Sequence, residues 1–290
     1  MKYSIKNEFL SAEFSSLGAE LLSLRSHEGT EFLWQGDAKY WDERSPLLFP
    51  YCCRLFDGHY TYEGERYDGV IHGFIRFVDF CDIEYGKDFI IFKKQSDENT
   101  KKLYPFDFDF EIKYELCQNS LICKINVKNI GEHELYYCNG MHPGFNVPLE
   151  GDFTDWYLEF SEIAKPRQVL FSESKFCQGD RDFLPFLKNG TVLPLSHSMF
   201  DNDAIFLTDA ARSVTLRSDS SDHFVRVDYP DSPVIGFWQP AFTDAPFVCI
   251  EPLCGLPSFD GRVDDIKKKA LVRCLMGGES HTDTVTITVE

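Results

Sequence analysis

Phe110-Glu111-Ile112-Lys113-Tyr114-Glu115-Leu116, then Leu121-Ile122-Cys123-Lys124-Ile125-Asn126-Val127, is the stretch that decides the fold. In the first run Phe, Ile, Tyr and Leu alternate with Glu and Lys. Apolar residues two apart line one face of a strand, whereas a helix would scatter them around its circumference. Asn119-Ser120 between the runs predicts a turn, because Asn tolerates positive φ. The same period recurs outward along the chain, at residues 8–14, 89–94, 213–218, 223–229 and 283–289. Turn pairs separate the runs: Asp57-Gly58, Glu63-Gly64, Asp68-Gly69, Asn189-Gly190 and Asp260-Gly261. Residues 60–67, centred on Glu63-Gly64, predict a hairpin. Helical patterning is scarce. The best stretch, residues 264–276, lacks an amphipathic stripe and reads as a loop running into a strand. No repeat or Pro/Ser-rich linker divides the chain, so the expectation is all-β: one large antiparallel β-sandwich over residues 1–290.

Composition narrows the partners. With 29 Lys and Arg against 47 Asp and Glu, the net charge is −18, while 43% of the residues are hydrophobic. That apolar content is too high for a disordered chain, and at this length about 75% of the unfolded surface can be buried. The acidity disfavours nucleic acid and anionic membrane, which call for clustered Lys and Arg. No run of 18 apolar residues crosses a bilayer, and Met1–Glu8 has no signal-like apolar core. The ten cysteines form no C-x-x-C pair, and most sit in apolar runs such as Phe247-Val248-Cys249-Ile250. The reading is a protein of a reducing cytoplasm. No H-E-x-x-H, phosphate loop or G-x-G-x-x-G appears, so neither a metal nor a nucleotide cofactor is expected.

Four islands interrupt the alternation with ionisable groups in Gly- and Pro-rich frames: residues 49–55, 71–76, 139–146 and 247–257. Loops on a rigid scaffold present functional groups in this way. Glu251 follows an apolar strand and precedes Pro252, so the strand is expected to end there. The carboxylate is then either a partly desolvated general base or one side of a strand-end salt bridge. His142, fixed before Pro143, reads as a general acid or a satisfied core histidine. His72, before Gly73, donates to a ligand or ends a turn. Arg54 lies in an apolar run and needs a partner, either an internal acid or a ligand oxygen. Asp201 and Asp203 flank Asn202 in a turn before the strand that starts at Ala204 and are open to a hydroxyl-binding role.

Taken in order, these islands resemble the aldose 1-epimerase (galactose mutarotase-like) family, in particular its LacX-like branch. The likeness rests on Leu33-Trp34-Gln35-Gly36-Asp37, Tyr40-Trp41, Ser45-Pro46-Leu47-Leu48-Phe49-Pro50, Arg54-Leu55 and Asp57-Gly58. It continues through His72-Gly73-Phe74, His142-Pro143-Gly144-Phe145-Asn146, Phe200-Asp201-Asn202-Asp203-Ala204, Cys249-Ile250-Glu251-Pro252 and Gly255. It implies Glu251 as catalytic base, His142 as catalytic acid, and His72, Arg54, Arg76 and Asp201 as substrate-binding residues, with Asp203 close to the last. It further implies cofactor-free opening and closing of a free aldose ring, by a monomer or homodimer. The chain departs from the family in three places: Leu253 stands where an aromatic is usual, Phe77 where an acid follows Arg76, and Cys53 where a glycine precedes Arg54. A silent carbohydrate-binding protein and a hexose-6-phosphate mutarotase are the rivals on the same scaffold. A two-carboxylate glycosidase would need a second acid near Glu251, with Asp244 the candidate in sequence.

Overall fold

The two deciding runs pair with each other. In the computed structural model, which describes residues 1–290, they extend to strands Phe108–Cys117 and Ser120–Asn129 in unbroken antiparallel register. Phe110, Ile112 and Tyr114 are fully buried. A one-residue slip would turn all three to water, and this holds the register. The turn is Gln118-Asn119, one residue earlier than expected, with Gln118 at φ +53°. The first expected strand starts later, at Leu10. The Asn7 side-chain carbonyl accepts the amides of Phe9 and Leu10, each at 2.8 Å, and closes a turn over the intervening residues. The expected hairpin is present as His59–Tyr62 and Glu65–Asp68, with Glu63 at +53° and Gly64 at +87°. Positive φ at both positions is the type I′ geometry that matches strand twist. In the helix-poor stretch, Asp264–Asp265 and a 3-10 turn at Ile266–Lys268 lead to strand Arg273–Leu275, the loop-to-strand run read from the sequence.

Two large sheets carry the architecture. The nine-stranded antiparallel sheet has at its centre, in order, Ser213–Ser218, Phe224–Asp228, Ser280–Val289, Ser120–Asn129 and Phe108–Cys117. In the eight-stranded sheet Arg167–Phe171, Ile205–Thr208, Val234–Trp238, Phe247–Cys254 and Asn139–Met141 are neighbours, and Gly144–Asn146 joins beside Phe247–Cys254. Ile112, Val127, Leu216 and Ile287 of the first sheet share one cluster of 61 buried residues with Leu207, Phe237, Val248 and Ile250 of the second. The sheets therefore face each other across a common core, as the sandwich reading expects. Phenylalanines fill much of it: Phe49 lies 5.1 Å from both Phe108 and Phe110 by ring centroids. A three-stranded sheet, Lys2–Lys6, Leu10–Ser15 and Leu21–Ser26, adds the N-terminal flank.

Strand Phe247–Cys254 is buried along its whole length. Val248 and Ile250 enter the main core, and full burial of each stabilises the fold by roughly 1.5–3 kcal/mol. Cys249, Glu251 and Leu253 must then point to the opposite face, where a second cluster of 11 residues gathers Leu48, Cys52, Cys53, Phe206 and Leu253. The strand does not end at Glu251, as expected, but runs on through Pro252. On the Pro252 side, Ile250 N–H donates to the Pro143 carbonyl at 3.1 Å. The neighbouring chain leaves the sheet between Met141 and Gly144, so the N–H that Pro252 lacks has no ladder partner to miss. On the other side Gly236 lies directly opposite Glu251. A Cβ at Gly236 would come within 2.6 Å of the Phe206 ring and 3.2 Å of the Glu251 Cβ. Gly236→Ala is therefore expected to destabilise the protein by about 1–3 kcal/mol through overpacking. A lowered urea midpoint would show it, and an unchanged midpoint would mean that the close packing against Glu251 is absent.

Candidate functional site

The break that spares Pro252 also places His142. Its amide donates to the Pro46 carbonyl at 3.1 Å, and the Gly144 amide donates to the Arg44 carbonyl at 2.8 Å. These bonds tie the turn to residues 44–46 and set the imidazole over the Glu251 face of the sheet. His142 Nε2 lies 3.3 Å from Glu251 Oε1. Glu251 is 1% exposed and His142 7%. Both Glu251 oxygens and His142 Nδ1 are buried without a hydrogen-bond partner, since the 3.3 Å approach lacks hydrogen-bond alignment. Burial pushes the Glu251 carboxyl well above the usual carboxylate range, and the Asp203 charge adds to this. Burial also pulls His142 down to about 3, helped by the nearby Arg76 charge. Both shifts favour the uncharged forms, a protonated carboxyl on Glu251 and a neutral imidazole on His142.

His72 joins them from residues 71–76. Its ring stands 5.4 Å from that of His142, nearly perpendicular at 87°. His72 and Cys53 both adopt left-handed backbone, at +67° and +64°, and lock together. The His72 amide donates to the Cys53 carbonyl at 3.0 Å, and the Cys53 amide donates to His72 Nδ1 at 3.2 Å. Burial, with His142 and Arg76 nearby, holds His72 well below its ordinary value. A neutral ring accepting at Nδ1 carries its proton on Nε2, so His72 offers a donor to the site. Cys53 thus takes the conformation of the glycine that the resemblance leads one to expect, and holds His72 by it.

Arg54 and Asp203 meet at 3.1 Å. The sequence placed Asp201 among the binding residues, but the structure brings Asp203 to the site instead. Residues 201–203 form a turn after the 3-10 segment His197–Phe200, so strand alternation does not apply and the two acids take different partners. Asp203, at φ +90°, faces Arg54, while Asp201 accepts the Phe242 amide at 3.1 Å. Arg76 is also at the site, ion-paired with Glu43.

A cavity of about 250 Å³ joins Glu251, His142, His72, Arg54, Asp203 and Arg76. The sequence reading missed several of its walls. Glu43 was not singled out, and the aromatic surface comes from Trp41, Trp238, Phe171 and Phe206. The Trp41 and Trp238 rings lie 5.1 and 5.6 Å from His142. The one available signal was the Trp41-Asp42-Glu43-Arg44 run, a large aromatic beside charges with no strand period. Leu253, where the resemblance leads one to expect an aromatic, is buried in the second cluster and does not line this cavity. Asp244, the acid considered for a glycosidase, is 80% exposed and bonded by Tyr40. The cavity's other carboxylates, Asp203 and Glu43, are each paired with an arginine. The arrangement supplies a buried acid/base pair, two ion pairs that each set a donor beside an acceptor, and aromatic walls.

The aldose 1-epimerase family pattern matches residues 1–285. The plasmid-encoded protein LacX of Lactococcus lactis subsp. lactis is 35% identical over 268 residues, 88% of each chain, and its chromosomal counterpart matches equally well. A galactose mutarotase related enzyme from Lactobacillus acidophilus is 30% identical and superposes with a TM-score of 0.93, covering 100% of this chain and 97% of its own. A galactose mutarotase-like protein from Lactobacillus casei is 28% identical, with a TM-score of 0.94 over all of both chains. Sequence and fold together establish that this chain belongs to the aldose 1-epimerase family.

Proposed function

We propose that the protein is an aldose 1-epimerase interconverting the α and β anomers of a free, uncharged aldose. The observation that carries this reading is the buried Glu251–His142 contact with three polar atoms left unpartnered. A binding protein would have no use for an acid and a base so costly to bury. Anomerisation needs both: a base for the anomeric hydroxyl and an acid for the ring oxygen.

The empty pair holds its proton on Glu251. Sugar hydroxyls donating to the Glu251 oxygens favour the carboxylate, and the released proton passes to His142 at 3.3 Å. Glu251 then removes the proton from the anomeric hydroxyl while His142 protonates the ring oxygen. The ring opens to the aldehyde, leaving Glu251 protonated and His142 neutral, which is the state preferred by the empty site. Rotation about C1–C2 and closure with the roles reversed give the other anomer. His72 Nε2–H and the Arg54–Asp203 pair hold the remaining hydroxyls, and Trp41 and Trp238 offer faces for the sugar's C–H surface.

An uncharged substrate is favoured over a phosphorylated one because both arginines of the cavity are already neutralised, Arg54 by Asp203 and Arg76 by Glu43. We read residues 1–290 as one unit, supported by a single core cluster that includes Ile5 and Val289. Ten free cysteines support a reducing, cytoplasmic setting. No helix is long and apolar enough to cross a membrane.

Glu251→Gln is expected to slow the equilibration of fresh α-D-glucose or α-D-galactose, followed by polarimetry, by about 10²–10⁴-fold. Binding of the sugar should be largely retained, and wild-type rates in this variant would remove Glu251 as the base. Saturable binding by wild type with no acceleration would favour the silent binding protein. The pH profile follows from the shifts. The one-proton pair gains a second proton only as His142 titrates, and His142 is pushed from its ordinary 6.5 down to about 3. The raised Glu251 gives up the single proton only well above 4.5. The acid limb of kcat/KM should therefore fall well below pH 6.5. A decline centred on 6.5 would show that His142 titrates as if exposed.

A further inference from the structure

The cavity holds a second ion pair besides Arg54–Asp203. Glu43 meets the Arg76 guanidinium, and the two side chains are 28% and 14% exposed. Arg76 Nε is buried with no partner. The backbone on both sides is fixed by other bonds. Glu20 accepts the amides of Arg44 and Ser45 at 2.9 and 3.0 Å. At the other end Gly18 packs so closely on Arg76 that a Cβ there would lie 2.7 Å from the Arg76 carbonyl oxygen. The pair is thus not needed to hold its segments together. A half-buried ion pair is also a poor source of stability, because desolvation offsets most of the attraction. What it does supply is a carboxylate acceptor and a guanidinium donor facing the same 250 Å³ cavity as Glu251 and His142.

A pyranose whose anomeric and ring oxygens are taken by Glu251 and His142 still presents hydroxyls in several directions. The Arg54–Asp203 pair and His72 serve some of them. We propose that Glu43 and Arg76 form a second hydroxyl clamp that sets which sugars the site accepts. The proposal rests on the carbohydrate reading of the site. It also gives a use to the departure at Phe77: Arg76 stacks over the exposed Phe77 ring at 5.0 Å and takes its acid from Glu43 instead of from the next residue.

The test is a cross between variants and sugars. Glu43→Gln and Arg76→Lys are titrated against D-galactose, D-glucose and their 3-, 4- and 6-deoxy derivatives. Binding is read from the fluorescence of Trp41 and Trp238, and turnover by polarimetry. Glu43→Gln is expected to weaken the parent sugar about 10-fold or more, as for loss of a charge-assisted hydrogen bond. That penalty should vanish for the one deoxy derivative lacking the hydroxyl that Glu43 reads, and persist for the others. Arg76→Lys should show the same selective coupling, since an ammonium cannot reproduce the guanidinium fork. Equal affinity of wild type and Glu43→Gln for every sugar would overturn the clamp. So would a uniform loss on all sugars accompanied by a lower melting temperature, the mark of a structural pair. Wild-type binding without turnover would remove the epimerase reading and, with the selective coupling intact, leave the clamp standing. No binding of any sugar by wild type would remove both.

Discussion

A carboxyl group held out of water on the outer face of a fully buried strand is the constraint around which the rest of this molecule is arranged. Alternation along Phe247–Cys254 sends Val248 and Ile250 into the sandwich and Glu251 away from it. Gly236 opposite leaves room for the side chain, and the break between Met141 and Gly144 lets Pro252 sit in the ladder while it delivers His142. One local irregularity thus solves two problems, the missing amide of Pro252 and the placement of an imidazole 3.3 Å from Glu251. The cost is a pair of ionisable groups with unpartnered atoms, and such costs concentrate where a ligand is to complete the bonding.

Charge is managed differently inside the cavity and outside it. The chain carries −18 overall, yet Asp203 and Glu43 at the cavity each have an arginine partner, which leaves Glu251 as the carboxyl without one. The surface acidity and the neutralised arginines both suit an uncharged polyol. Ion pairs of this kind bind hydroxyls well because they offer a donor and an acceptor side by side.

Much of the scaffold was legible because its strands are half-buried. Phe108–Cys117 and Ser120–Asn129 pack one face and wet the other, and that alternation survives in sequence. Strand Phe247–Cys254 is buried on both faces, so it carries no alternation, and Pro252 suggested an end that the gap in the neighbouring strand removes. At the site, Glu251, His142, His72 and Arg54 stood out as polar residues in apolar frames, and all four converge. Asp201 did not, because an Asn-Asp turn after a 3-10 segment points its acids by backbone torsion and not by strand period. Trp41 and Glu43 sit in one aromatic and charged run without strand period, a weak local signal, whereas Trp238 ends an apolar strand and reaches the cavity by a contact made only on folding.

The central claim is that the Glu251–His142 pair holds a single proton on Glu251 when empty and hands it to His142 when a sugar binds. Infrared difference spectroscopy of the carboxyl stretch, comparing wild type with Glu251→Gln at neutral pH, reads this directly. The account predicts a protonated-carboxyl band in the free wild-type protein that is absent from Glu251→Gln and gives way to carboxylate absorption on saturation with sugar. A free protein in which Glu251 is already ionised, or a protonated band that sugar leaves untouched, would contradict it.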